Sequence, residues 1–375
     1  MSPRRVAIAV VCLAGALLAA LVVRAILSRP EPGALVGRTV LPKGIMGTRC
    51  TLTAVTPQAH ADRAAEALQR AENALRGVEH RMSTYVELSE LSKLNAAPAR
   101  RVVRLSPQTM DVLRLARELH GQTAGAFDAT CLPVFALWAR AGRQQRVPTS
   151  AELAAAKRAC GWDKFELLDG GARKTVDAAG VGLGGVAKGF AVDRAAEALR
   201  RAGCDGGLVD VGGDIRCFGL SPKGKPWHVA VQDPFQPGSG YFFGMLELTD
   251  HAVCTSGNYE RFVVIDGQRF SHIVDPRNGI PVDFAPSVTV VAPTAAVADG
   301  WATALSVLGK AGLKRIPAAS GIEAMIVEGG PRDYRTHQTP GFAKLLVEPV
   351  PQPPRQPAQR TAPRAPATKP IPRGD

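Results

Sequence analysis

Aromatic residues are scarce in this 375-residue chain, at 5%, with only four tryptophans and four tyrosines. So thin a supply of stacking rings argues against a base-binding surface, despite a formal charge of +13. The charge is also badly placed for that role. Arg355, Arg360, Arg364, Lys369 and Arg373 crowd the last stretch, and Arg4, Arg5, Arg24 and Arg29 precede the first acid, Glu31. The other basic residues are scattered, so no nucleic-acid partner is expected. The seven cysteines include no C-x-x-C pair, and no histidine stands at zinc-finger spacing, which excludes the common structural zinc sites. Buried free thiols are the expectation for Cys50, Cys131, Cys160, Cys204, Cys217 and Cys254, because a chain this long needs no disulfide to build a core.

Long apolar runs are equally rare. Val6 to Val23 is the exception, flanked by Arg4, Arg5 and Arg24 and just long enough to span a bilayer. Its basic start should stay cytoplasmic and send the rest of the chain across. No small-x-small cleavage site follows, so residues 1–27 are expected to be an uncleaved membrane anchor rather than a removed signal. Residues 28–35 read as a linker, and residues 349–375, rich in Pro, Gln, Ala and Arg, as a disordered tail. Residues 36–348 form one continuous globular region without internal repeats.

The periodicity there is mixed. Helices are expected over Gln58–His80, Pro107–Leu119, Ser150–Cys160, Lys188–Ala202 and Thr294–Leu308, the second opened by Ser106 as N-cap with Pro107 in its first turn. Strands are expected over Met46–Val55, Phe165–Leu168, Gly207–Val211, Trp227–Gln232, Gly244–Leu248, His251–Thr255, Arg261–Ile265, Ser287–Ala292 and Glu323–Val327. Several strands follow one another with no helix between them. That pattern indicates an α+β fold with mixed, largely antiparallel sheets and packed helices, not a parallel α/β array.

Four segments carry chemistry. In ADGWATALSVLG, Asp299 and Thr303 lie four apart and share one helix face, where a carboxylate and a hydroxyl can present two hard oxygens to a magnesium-like cation. The alternative is that Asp299 favours its own helix start electrostatically and Thr303 is a spacer. GVGLGGVAKG, from Gly180 to Gly189, runs into a helix. Its glycines let backbone amides approach a phosphate, with Lys188 adding positive charge. Gly180, Gly182 and Gly185 satisfy G-x-G-x-x-G, yet the chain lacks sustained strand–helix–strand repetition, and Gly189 after Lys188 excludes a Walker loop. A glycine turn for tight helix packing is the rival reading. LVDVGGDIRCFG, from Leu208, ends a strand in Gly212-Gly213-Asp214, and TAGAFDATCLPVFALW carries Phe127 and Asp128 ahead of a proline-broken apolar run.

Taken in order, the segments closely resemble the ApbE family, the FAD:protein FMN transferases. The matching pieces are MGTRCTLT from Met46, MSTYVELSELSKLN from Met82, GAFDATCLPVFALW from Gly125, GLGGVAKGFAVD from Gly182, VDVGGDI from Val209, TSGNYERF from Thr255, SHIVDPRNGIPV from Ser271 and ADGWATALSVLG from Ala298. No single motif decides the matter; eight in register do.

The resemblance implies a single ApbE- or T-fold-like catalytic region that takes FAD as substrate and Mg2+ as cofactor. It implies transfer of FMN to a threonine of an acceptor protein, a subunit of membrane redox machinery, with release of AMP. It also implies a bacterial inner-membrane protein whose catalytic region faces the periplasm, or one exported after signal cleavage. The family's flavin contacts map onto Met46, Tyr85, Ala126, Phe127, Asp128, Lys188, His272 and Ile273. Its metal ligands map onto Asp299 and Thr303, with backbone carbonyls at Gly185 and near Ala302. His272 is the candidate base and Lys188 a charge-neutralising catalytic group. Two departures stand out: Gly182 occupies a position the family commonly fills with aspartate, for which Asp177 is a possible substitute, and Asp210 replaces the usual asparagine. An FAD pyrophosphatase and a non-catalytic flavin-binding assembly factor are the alternatives.

Overall fold

Eight strands hydrogen-bond to one another in the order in which the chain makes them. They are β1 (Leu35–Val40), β2 (Cys50–Pro57), β3 (Gly206–Val211), β4 (Asp214–Gly219), β5 (Ala252–Gly257), β6 (Ser287–Ala292), β7 (Glu323–Glu328) and β8 (Arg335–Gln338). Each neighbouring pair is antiparallel. This computed structural model describes residues 34–348 apart from 237, 258–261 and 283–284. The expected anchor (1–27), the tail (349–375) and nearly all of the expected linker therefore lie outside the described residues. No described helix is long and apolar enough to cross a membrane.

Strand alternation sorts side chains onto two cores, because successive residues point to opposite faces. Ala324 and Ile326 of β7 join the larger core, whereas Met325 and Val327 join the smaller one. β5 divides likewise, with Ala252 and Cys254 on one side and Val253 on the other. Packing on both faces explains why β6, SVTVVA, is buried along its whole length and carries only small or β-branched side chains.

The helices are α1 (Arg63–Met82), α2 (Glu90–Ala96), α3 (Pro107–Gln122), α4 (Leu132–Gln144), α5 (Ser150–Arg158), α6 (Ala187–Arg201), α7 (Ala295–Leu308) and α8 (Pro340–Leu345). On the larger-core side α1 packs against α6, α6 against α7, and α7 against β5 and β6. A three-stranded sheet of Trp227–Gln232, Phe242–Leu248 and Leu346–Glu348 covers the other face, with Phe342 of α8 fully buried beneath it.

Three local expectations shift. The strand expected from Met46 begins at Cys50, because Met46 and Gly47 have φ of 48° and 68° and form a turn closed by Thr48 N donating to Ile45 O. The long helix begins at Arg63, after a 3-10 turn over Gln58–His60. The proline-broken run after Asp128 is in fact α4, with Pro133 in the first turn, where no amide is needed. Arg261, the first residue of another expected strand, lies outside the described residues, and that strand is described over Phe262–Ile265.

Candidate active site

α7 begins with its capping needs already met. The Thr294 side chain accepts from Val297 N, and Asp193 of α6 accepts from Ala295 N and Ala296 N at 2.9 Å each. Asp299, one turn further in, is therefore not needed to cap its own helix. Only 5% exposed, it turns instead to the start of α6, where its Oδ2 accepts from Gly189 N at 3.1 Å. Gly189 permits that approach: a Cβ there would lie 2.2 Å from Ala295 O.

Thr303 sits one turn beyond Asp299, half-buried. The glycine loop closes over it, and a methyl group on Gly185 would fall 2.9 Å from Thr303 Oγ1 and 3.2 Å from the Phe127 ring. Gly185, Asp299, Thr303 and Phe127 thus meet from three separated segments. Ala302 is buried, and its carbonyl accepts the Ser306 hydroxyl at 2.9 Å.

Charge in this corner is unbalanced. Lys188 Nζ forms an ion pair with the buried Asp214 Oδ2 at 3.1 Å. Burial pushes the Asp214 carboxyl above its ordinary pKa against the pull of Lys188. Burial, and then the Asp214 charge, raise Asp299 from 3.8 to about 8. Burial opposes the Lys188 ammonium, yet Asp214 and Asp299 together hold its pKa above the ordinary lysine value. The buried Cys254 thiol is pushed well up by the same desolvation and the same two carboxylates. Two buried carboxylates facing one ammonium leave a deficit of positive charge.

A hard divalent cation fits that deficit. Among the described residues no group of three or more His, Cys, Asp or Glu side chains could hold a metal unaided. The donors at hand are a carboxylate, a hydroxyl and loop carbonyls, the oxygen set magnesium uses when substrate phosphate and water complete its shell. Asp214 was legible only as a carboxylate at a strand end; its pairing with Lys188 depends on tertiary structure. Asp193 gave no separate sequence signal, and Gly189 was read only as the end of the glycine run.

The expected flavin contacts divide into two groups. Ala126, Ile273 and Val307 form a small apolar cluster, so the GAFD and SHIVDP segments touch beside Phe127. Asp128 Oδ1 accepts from both the amide and the hydroxyl of Thr130, and its Oδ2 lies 3.6 Å from His120 Nδ1. The DPRNG turn is fixed by the bidentate Arg277–Asp275 pair and by Trp138 Nε1 donating to Gly279 O. His272 is exposed between buried Ser271 and Ile273. Met46 N donates to Glu79 Oε1 at 3.0 Å, and Thr48 of the same turn lies against Gly212 of the β3–β4 hairpin. Tyr85 stands apart, 92% exposed on the turn between α1 and α2.

The residues at the two departures make defined local contacts. Gly182 N donates to Ala129 O at 2.8 Å, tying the loop to the segment after Asp128. Asp177 is exposed, with Oδ1 accepting from Ala99 N at 2.6 Å, which commits it to another loop. Asp210 Oδ1 accepts from Gly213 N at 2.8 Å and braces the hairpin turn.

Comparison with known proteins agrees on one relationship. The model of the ApbE family matches residues 46–326. The FAD:protein FMN transferase of Salmonella typhimurium is 31% identical over 315 residues, covering 82% of this chain and 89% of that protein. The FAD:protein FMN transferase of Vibrio cholerae is 33% identical over 275 residues, covering 72% and 82%. Among solved structures, the flavin transferase ApbE from Vibrio cholerae superposes with a TM-score of 0.72 at 30% identity, covering 83% of this chain and all of that one. The ApbE protein from Thermotoga maritima gives 0.73 at 28% identity, covering 84% of this chain and all of that one.

Proposed function

The chain belongs to the ApbE family, and on that premise we propose that it transfers FMN from FAD to a threonine hydroxyl of an acceptor protein in a magnesium-dependent reaction that releases AMP. The observation that carries this reading is the meeting of Gly185 and Thr303 beside an Asp299 that is buried, short of cationic partners and anchored to the first turn of α6. Asp299, Thr303 and the Gly185 carbonyl would hold the ion, and bound magnesium supplies charge neutralisation on the phosphoryl oxygens.

The chain's own residues do the rest. The Lys188 ammonium and the positive end of the α6 dipole favour the negative pyrophosphate. The apolar contact of Ala126 with Ile273, beside Phe127, offers the flavin ring a dry wall. The acceptor threonine oxygen attacks the phosphorus of the FMN half, forming one P–O bond as the bridging P–O bond breaks and AMP leaves. His272, exposed at the end of that wall, takes the threonine proton. The apolar run Val6–Val23 supports an inner-membrane anchor with the catalytic region on the periplasmic side, facing acceptors in membrane redox complexes.

Incubating the chain with FAD, magnesium and a threonine-bearing acceptor domain, then weighing all products, tests the reading. An acceptor heavier by one FMN-phosphoryl group, with AMP released, supports it. Free FMN plus AMP with unmodified acceptor indicates a pyrophosphatase, and unchanged FAD indicates a binding protein.

A further inference from the structure

Two cysteines expected to be unrelated free thiols prove to be neighbours. Cys131, at the N-cap of α4, and Cys160, just after α5, carry thiols close enough to shift each other's acidity, and Cys160 Sγ also donates to Ala156 O at 3.3 Å. The backbone holds them there: Gly161 N donates to Thr130 Oγ1 at 2.7 Å, so the residue after one cysteine is tied to the residue before the other. Cys217 and Cys254 likewise donate to backbone oxygens, those of His251 and Ala295.

We propose that Cys131 and Cys160 are a redox-active dithiol that closes to a reversible intramolecular disulfide when the protein meets a small-molecule disulfide such as glutathione disulfide. The two sulfurs differ in access. Cys131 is 1% exposed, whereas Cys160 is only half-buried. Their acidities differ in the matching sense. Interaction with Cys131 lowers the Cys160 thiol, while interaction with Cys160 and burial raise Cys131. Cys160, the more accessible of the two, is therefore the thiol that attacks first, once deprotonated.

The exchange balances in two steps. The Cys160 sulfur attacks one glutathione sulfur, the glutathione S–S bond breaks, and the first glutathione leaves as a thiol carrying the displaced proton. The Cys131 sulfur then gives up its proton and attacks the Cys160 sulfur, expelling the second glutathione as a thiol. The two protein thiols lose two electrons and two protons, and glutathione disulfide gains both.

The bond would stiffen ground next to the candidate active site. Thr130 Oγ1 donates onward to Asp128 Oδ1, Cys131 bridges Gly180 at the start of the glycine loop, and Gly182 N donates to Ala129 O. A covalent link from Cys131 to Cys160 would fasten this floor to α5. The inference is independent of the flavin chemistry.

The test uses the full chain incubated with glutathione disulfide, quenched with N-ethylmaleimide, digested and mass-analysed without reductant. The expected product is a cross-linked peptide pair joining Cys131 to Cys160, lighter by two hydrogen atoms than the free peptides and lost on adding dithiothreitol. The oxidised chain is expected to melt several degrees higher than the reduced one, and Cys131→Ser should trap Cys160 as a stable glutathione adduct. Alkylation of both cysteines after prolonged oxidation, a wild-type chain that stops at the mixed adduct, or a different cysteine pair in the cross-link would each overturn the proposal. The wild-type peptide map reads the outcome even where the serine variant fails to fold.

Discussion

The amide of Gly189 donates to Oδ2 of Asp299 at 3.1 Å, so the first turn of α6 is pinned to the second turn of α7. A helix start with unpaired amides receives the carboxylate it favours, and the glycine loop is delivered to Thr303 by the same contact.

That contact has no room for a side chain. Gly189→Ala would set a methyl 2.2 Å from Ala295 O and 2.5 Å from its carbonyl carbon, both backbone atoms that cannot swing away. The expected cost is about 1–3 kcal/mol, read by urea denaturation, with flavin transfer reduced beyond the loss of folded protein. Gly184→Ala is the control, because nothing lies within 4 Å of its Cβ position.

Thr303→Val keeps the shape and removes one oxygen. The melting temperature should hardly change, because the residue is only half-buried. Magnesium activation should weaken by roughly tenfold, about 1.4 kcal/mol, and recover in part at high magnesium. A titration of transfer rate against magnesium separates this outcome from a general loss.

Lys188 and Asp214 should behave as a pair. Lys188→Met alone leaves the Asp214 carboxylate buried without its cation, which costs about 3–5 kcal/mol. Adding Asp214→Asn should restore most of that stability but no turnover, since the ammonium proposed to face the pyrophosphate is still missing. Melting curves and rates on the three variants measure both halves of the statement.

The elevated Asp299 pKa has a definite sign. Burial first, and Asp214 second, lift it from 3.8 to about 8, so between those values the folded chain holds a proton that the unfolded chain has released. Metal-free stability therefore falls as pH rises through that window. A coordinated cation takes the proton's place, so thermal stabilisation by magnesium should be larger at about pH 9 than at about pH 6. Differential scanning fluorimetry with magnesium or with EDTA at each pH measures it.

Local features of the site were readable, and long-range ones were not. The spacing of Asp299 and Thr303 is a property of one helix, and the glycine run into Lys188 is a property of one loop. The α+β class followed from strands arriving without helices between them. α4 was obscured because Pro133 looks like a break until its place in a first turn is known. The Lys188–Asp214 contact requires β4 beside the start of α6, and the Cys131–Cys160 contact requires two segments tied through Thr130. Tyr85, read as a flavin contact, lies almost wholly in solvent in the chain alone.

The most direct measurement is the intact mass of a threonine-bearing acceptor after incubation with FAD, magnesium and either the wild-type chain or Asp299→Asn. The amide oxygen of asparagine can still accept from Gly189 N, so the fold should persist while the charge that grips the cation is gone. The account predicts one FMN adduct with the wild-type chain and none with the variant. An adduct formed at the wild-type rate by Asp299→Asn, and still dependent on magnesium, would contradict it.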